Sequence, residues 1–199
     1  MTLARVREPA PREVTATPDE LARLQVTACA WEKCLLAIIA GLGLRRAEAV
    51  NLCPANYDRE TQTITYRTKG DQTNKLPVTD ELRAFFELFG DETANPNTPL
   101  LELMRGKKTT LAVVNEAWRE LRVRARVNPN LRMHDLRRTV AHRTYDETHD
   151  LRVVQRLLGH ADLGTTLKYL RHHDPDKLGN LSTLLNQLRA NVPVPDWKN

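Results

Sequence analysis

The 199-residue chain predicts one mainly helical domain with a small antiparallel β-sheet, an α+β arrangement. Three observations carry that expectation. Thr17-Pro18-Asp19-Glu20 is a capping box, a threonine and a glutamate three apart with proline at the first helical position, so a helix opens there. Residues 110–127 place Leu111, Val114, Ala117, Trp118 and Leu121 on one face at the helical period. Between the two, Thr63-Ile64-Thr65-Tyr66-Arg67 alternates polar and apolar residues and is rich in β-formers. Lys75-Leu76-Pro77-Val78 gives it a partner strand, with the polar run 69–74 as the hairpin turn.

The remaining elements follow in chain order. Residues 1–16 hold proline, arginine and glutamate without an apolar period and read as an arm or linker. Residues 31–42 are apolar enough for a buried helix, ended by Gly41 and Gly43. A short helix over 45–52 stops before Pro54, and Tyr57 falls in a loop. Thr79 caps a helix running to Phe89, and 90–99, with two prolines among Asn and Asp, is a loop. Asn128-Pro129-Asn130 breaks the chain before a helix carrying His134. Residues 150–158 and 165–170 form short helices, and 175–189 a last one. In that last segment Leu178, Leu181, Leu184, Leu185 and Leu188 form a stripe. On spacing alone it suits a core helix.

Composition narrows the class. Hydrophobic residues at 41% and charged residues at 28% suit a globular protein long enough to bury a core. The longest apolar run, 35–44, is interrupted only by glycines and is too short for a bilayer, which needs about 20 apolar residues. Met1 is not followed by a basic-then-apolar leader, so a cytoplasmic chain with no membrane partner is expected. Three cysteines, Cys29, Cys34 and Cys53, lack a CxxC or zinc spacing and read as reduced, mostly buried thiols. The net charge of +5 is unevenly spread. Residues 105–152 hold 12 Lys and Arg against 6 Asp and Glu, which is the pattern a phosphate backbone attracts.

Six positions point to a specific chemistry: Arg45, Lys69, His134, Arg137, His160 and Tyr169. Displacement at a phosphodiester concentrates negative charge on the non-bridging oxygens. Arginine meets those oxygens bidentately and stays charged at any working pH. His134 and Arg137, three apart, share a helical face and can converge on one point. Glu48, one turn after Arg45, can pair with an arginine and fix its fork. Arg132 and Arg138 flank the His134 pair and are expected to meet a DNA backbone. Taken singly these are ordinary residues: a surface arginine, a turn lysine, a tyrosine at the end of an amphipathic segment. His142, His149, His172 and His173 have no metal spacing and read as structural or surface.

What changes the weighting is context. GLRRAE from Gly43, TKG from Thr68, HDLRRT from His134 and LLGHADLGTTLKY from Leu157 resemble, in order, the motifs of the tyrosine recombinase family, which includes phage integrases and Xer-type resolvases. The resemblance runs from about Thr17 to Leu188 and implies the family's catalytic-domain fold. It also implies a site-specific recombinase or integrase that cleaves and rejoins double-stranded DNA through a 3′-phosphotyrosine, with no metal or other cofactor. By that resemblance Arg45 and Arg137 grip the scissile phosphate, and Lys69 protonates the leaving 5′ oxygen. His134 donates to a phosphate oxygen or relays the nucleophile's proton, His160 adds a hydrogen bond to the phosphoryl group, and Tyr169 is the nucleophile. Arg46 and Lys75, rivals by position for Arg45 and Lys69, are counted among the DNA-contacting cations. Two departures stand out: Leu42-Gly43 replaces the usual Thr-Gly, and Arg46 stands where a small or aliphatic residue is usual. The expected division is an arm at 1–16, a catalytic domain at 17–190 and a tail at 191–199, with the family's N-terminal core-binding domain absent. A homo-oligomer on DNA, a tetramer in the recombination synapse, goes with this reading. The rivals are a non-catalytic DNA-binding remnant or regulator and a type IB topoisomerase, which shares the chemistry without strand exchange.

Overall fold

A computed structural model describes residues 14–68, 72–89 and 95–170. The turn with Lys69, most of the arm, part of the 90–99 loop, the leucine stripe and the tail lie outside the described residues.

The first helix, α1 (Pro18–Thr27), begins at the expected capping box. Thr17 Oγ1 accepts from the Glu20 main chain and Glu20 returns the bond, leaving Glu20 Oε1 to accept from Asn128 N at 2.9 Å. A buried carboxylate thus joins α1 to the turn before the His134 helix. Ala16, the last residue of the expected 1–16 arm, is buried and its N–H donates to Thr139 Oγ1 at 2.9 Å, so the end of that segment belongs to the packed body.

The apolar run 31–42 forms α2 (Ala30–Leu36) and then widens into a π-helical turn, Ala37–Gly41. Cys34, Leu35, Leu36, Ala37, Ile38 and Ile39 are all buried, so the segment is wrapped by apolar partners. Gly43, at φ +69°, then turns the chain. A Cβ there would stand 3.2 Å from Leu158 Cδ2. Arg45 is the N-cap of α3 (Arg46–Asn51).

After a 3₁₀ turn at Pro54–Asn56 comes the sheet, three strands rather than the expected hairpin: β1 (Tyr57–Asp58), β2 (Thr63–Arg67) and β3 (Thr73–Pro77), antiparallel in the order β1-β2-β3. Tyr57 is therefore an edge-strand residue, not a loop one, and it stacks on Phe86 with ring centroids 4.7 Å apart. The register pairs Ile64 with Leu76 and Tyr66 with Asn74 on the inner face, and Thr65 with Lys75 on the outer.

Thr79 caps α4 (Asp80–Leu88) as read. The stretch after Pro99 holds an unexpected helix, α5 (Leu100–Arg105), whose Leu100 and Leu101 are fully buried. The amphipathic α6 (Leu111–Arg124) buries Val114, Ala117, Trp118 and Leu121 of the expected face, but Leu111, in its first turn, is 44% exposed. Glu32 of α2 receives two bonds from Arg124 Nη2, at 2.8 and 2.6 Å, which pins α6 to α2. Then come α7 (Met133–Thr148), α8 (Leu151–Leu158) and α9 (Leu163–Leu170).

Apolar packing divides in two. The larger cluster joins α1 to α6, the sheet and the start of α7. A smaller one gathers Ala141, Tyr145, Leu151, Val154, Leu158, Leu167 and Leu170 from α7, α8 and α9. The site residues sit where the two clusters meet. Among the described residues no helix is long and apolar enough to cross a membrane.

Candidate active site

Each of the described site positions occupies the end of an element or a helix face turned inward. Arg45 precedes α3, where Glu48 at the third helical position answers it twice. Glu48 Oε2 accepts from Arg45 N at 2.7 Å and Oε1 from Arg45 Nη1 at 2.8 Å. Glu48 Oε2 also stands 3.8 Å from Arg137 Nη1. One nearly buried carboxylate therefore orients both arginines, the fork-fixing role its spacing suggested. Arg45 keeps about a third of its side chain exposed, so donors remain for an anion. Arg46 turns away and donates to Asn115 Oδ1 of α6 at 2.6 Å, which makes Arg45 the arginine of this cluster.

Arg137 is enclosed, with 1% of its side chain exposed. Its Nη1 donates to the Gly43 carbonyl and its Nη2 to the Leu158 carbonyl, while Nε is buried without a partner. Burial, then the charge of Arg45, pulls its pKa below the ordinary value. To grip a phosphate oxygen this guanidinium has to exchange a main-chain carbonyl for it.

His160 follows Gly159, which ends α8 at φ +57°. Its Nε2 faces Arg137 Nη2 at 3.3 Å and its Nδ1 faces Thr166 Oγ1 at 3.0 Å. Guanidinium only donates, so Nε2 is the acceptor and Nδ1 carries the proton. Burial, with Arg137 next, pushes the His160 pKa down to about 4, so the neutral form holds at pH 7. Both ring nitrogens are engaged. In this arrangement His160 orients Arg137, and a bond from it to a phosphoryl oxygen requires one of those contacts to open.

The Tyr169 hydroxyl of α9 lies 2.6 Å from His134 Nε2, within hydrogen-bond distance. The two rings meet edge-on with centroids 5.6 Å apart. His134 is exposed, yet partial desolvation of its ring, with Arg137 and Arg138 adding, lowers its pKa and favours the neutral form. Arg138 sets its guanidinium carbon 5.7 Å from the Tyr169 ring centroid, and His160 lies at 5.2 Å between centroids. The other tyrosines serve packing. Tyr66 is buried, its pKa is raised by burial, and it accepts from Asn74 Nδ2 at 2.9 Å. Tyr145 is buried and Tyr57 is stacked on Phe86.

Of the cations assigned to DNA, Arg138 borders the site, Arg132 is the exposed N-cap of α7, and Lys75 stands on the outer face of β3, 4.0 Å from Asp58. Two contributors escaped the sequence reading. Thr166, fully buried, accepts the proton that Arg137 leaves on His160 Nδ1; it lies three before Tyr169, a spacing that puts both on one side of α9. His142 Nε2 lies 2.9 Å from the Tyr169 carbonyl. Among the described residues no three His, Cys, Asp or Glu side chains gather closely enough to share a metal ion.

The phage integrase family model matches residues 15–175. Tyrosine recombinase XerC of Escherichia coli (strain K12 / DH10B) is 30% identical over 145 residues, 69% of this chain and 47% of that protein. The chain thus spans about half the length of the curated relatives it matches. In structure it is similar to XerA recombinase, with a TM-score of 0.70 and 25% identity over 91% of this chain and 67% of the other. XerH bound to its palindromic difH substrate gives 0.67 and 24%, covering 89% and 54%. The catalytic domain of bacteriophage HP1 integrase gives 0.62 and 19%, covering 88% and 95%; the last two likenesses speak for the fold alone.

Proposed function

The chain belongs to the phage integrase family, and on that premise we propose that it is the catalytic domain of a tyrosine-type site-specific DNA recombinase. One observation carries the reading: the Tyr169 hydroxyl lies 2.6 Å from a histidine nitrogen, beside two arginines oriented by one carboxylate.

The chemistry follows from the geometry. The Tyr169 oxygen attacks phosphorus as its proton passes to His134 Nε2, which turns a poor phenol nucleophile into a usable one. Charge building on the non-bridging oxygens falls to Arg45 and to Arg137 once it turns from its carbonyls. His160, neutral and held by Thr166, steadies Arg137. Lys69, in the role the family gives it, protonates the departing 5′ oxygen. The products are a 3′-phosphotyrosine and a free 5′-hydroxyl. A second strand's 5′-hydroxyl then reverses the displacement, so bond energy is conserved and neither ATP nor a metal takes part.

Double-stranded DNA as the partner, a homo-oligomer assembled on it and a cytoplasmic location are parts of the same proposal. The excess of 12 Lys and Arg over 6 Asp and Glu across residues 105–152 supports the DNA part.

The test uses nicked suicide duplexes, captured covalently by the chain from a randomised-sequence pool in excess EDTA. The wild type is expected to give a covalent protein–DNA band, and Tyr169→Phe to give none while still retaining DNA. A band surviving in Tyr169→Phe, or one that appears only with added magnesium, would overturn the proposal.

A further inference from the structure

Helix α7 meets Tyr169 at three places, and the chemistry proposed above uses only part of this. His134 Nε2 lies 2.6 Å from the hydroxyl, Arg138 lies over the ring, and His142 Nε2 is 2.9 Å from the main-chain carbonyl. These are positions i, i+4 and i+8, a single helical face. A carbonyl oxygen can only accept, so His142 Nε2 bears a proton and donates it.

The three contacts differ in what they can do during a reaction. The His134 bond changes character as the phenol gives up its proton and its oxygen bonds to phosphorus. The ring contact with Arg138 is broad and tolerates sliding. The His142 bond holds the backbone, which the reaction leaves untouched, and it lies in the last described turn of α9. Of the three it alone keeps its geometry while the hydroxyl changes partners.

We propose that His142 is a positioning residue for the nucleophile: its Nε2–H fixes the Tyr169 main chain, and so sets where the phenol oxygen stands relative to His134 and the phosphate. The inference rests on the reading of Tyr169 as the nucleophile. Because the hydroxyl sits at the far end of a rigid ring, a small rotation at the backbone moves it by a large part of an ångström. Misplacement of about 1 Å can lower a rate by on the order of a hundredfold.

Two readouts test this on the full chain, with His142→Ala and with His142→Gln, whose amide restores a donor. The first needs no DNA: the ring resonances of 13C-labelled tyrosine, with Tyr169 assigned through Tyr169→Phe. The Tyr169 signal is expected to shift in His142→Ala and to return toward the wild-type position in His142→Gln. The second uses the captured suicide duplexes. Single-turnover cleavage at saturating DNA should fall roughly ten- to a hundredfold in His142→Ala, with unchanged dissociation constant and melting transition, and recover in part in His142→Gln. A Tyr169 signal identical in wild type and His142→Ala overturns the proposal, as does a wild-type cleavage rate in that variant. If the signal moves as expected but the wild type captures no DNA, His142 still orders the Tyr169 ring, and it is the recombinase reading that fails.

Discussion

His134 has to be neutral to take the Tyr169 proton, and its surroundings favour that state. Partial desolvation first, then the charges of Arg137 and Arg138, depress its pKa below the ordinary value of about 6.5. Falling pH therefore protonates His134 later than it would a free histidine, and the acid limb of the cleavage rate should lie below pH 6.5. Arg138→Gln removes one of those charges without touching the His134–Tyr169 bond, so the limb should move up in pH, toward the ordinary histidine value. Single-turnover rates from pH 5 to 8 in both proteins check it; an unmoved limb means another group governs the profile. At this scale most of the site was legible, because Arg45, His134, Arg137, His160 and Tyr169 stand at motif spacings and the fold gathers them. The supporting contacts were less so. Thr166 and His142 bond atoms brought near by the packing of α7, α8 and α9, and one of those atoms is a backbone oxygen that no residue identity reveals. The enclosure of Arg137 was equally hidden, since its partners are the carbonyls of Gly43 and Leu158.

Elements carry the next constraint, and Gly43 shows it. Its φ of +69° lets the chain leave the π-helical turn and offer its carbonyl to Arg137, and there is little space for a side chain. Gly43→Ala puts a Cβ 3.2 Å from Leu158 Cδ2 and 3.5 Å from Val140 Cγ1 in a left-handed conformation that costs about 1–2 kcal/mol. The variant should lose roughly that much stability in urea denaturation and should also lose cleavage, because the carbonyl guiding Arg137 shifts. Gly106→Ala is the control: φ is +68° but nothing lies within 4 Å, so the backbone cost remains while cleavage stays near wild type. The elements that the sequence announced are those with a physical marker, namely the capping box at Thr17, the threonine cap at Thr79, and the face of α6 that buries Val114, Ala117, Trp118 and Leu121. Those it concealed are short. α5 spans six residues and shows less than two turns of periodicity, and β1 is two residues whose pairing depends on β2 being in place.

On the scale of the whole molecule the site is a seam between two hydrophobic clusters, and Arg137 crosses it. Gly43, which its guanidinium holds by the carbonyl, borders Leu42 and Leu44 of the larger cluster. Leu158, held by the other arm, belongs to the smaller cluster that carries Tyr169. A residue assigned to catalysis is thereby also a structural tie, and this separates it from Arg45, which is partly exposed and bonds only at the rim. Arg137→Ala leaves two buried carbonyls without their donor, at about 1–3 kcal/mol each where no water replaces it, and takes a cation from beside Glu48. It should lower the denaturation midpoint markedly. Amide exchange should quicken in α8 and α9 before it does in α2 and α6, since the smaller cluster has less apolar packing of its own. Arg45→Ala should lose cleavage just as fully while its midpoint stays within about 1 kcal/mol of wild type, the usual range for a partly exposed ion pair. If the two variants prove equally stable, Arg137 does not join the clusters and its burial serves the phosphate site alone.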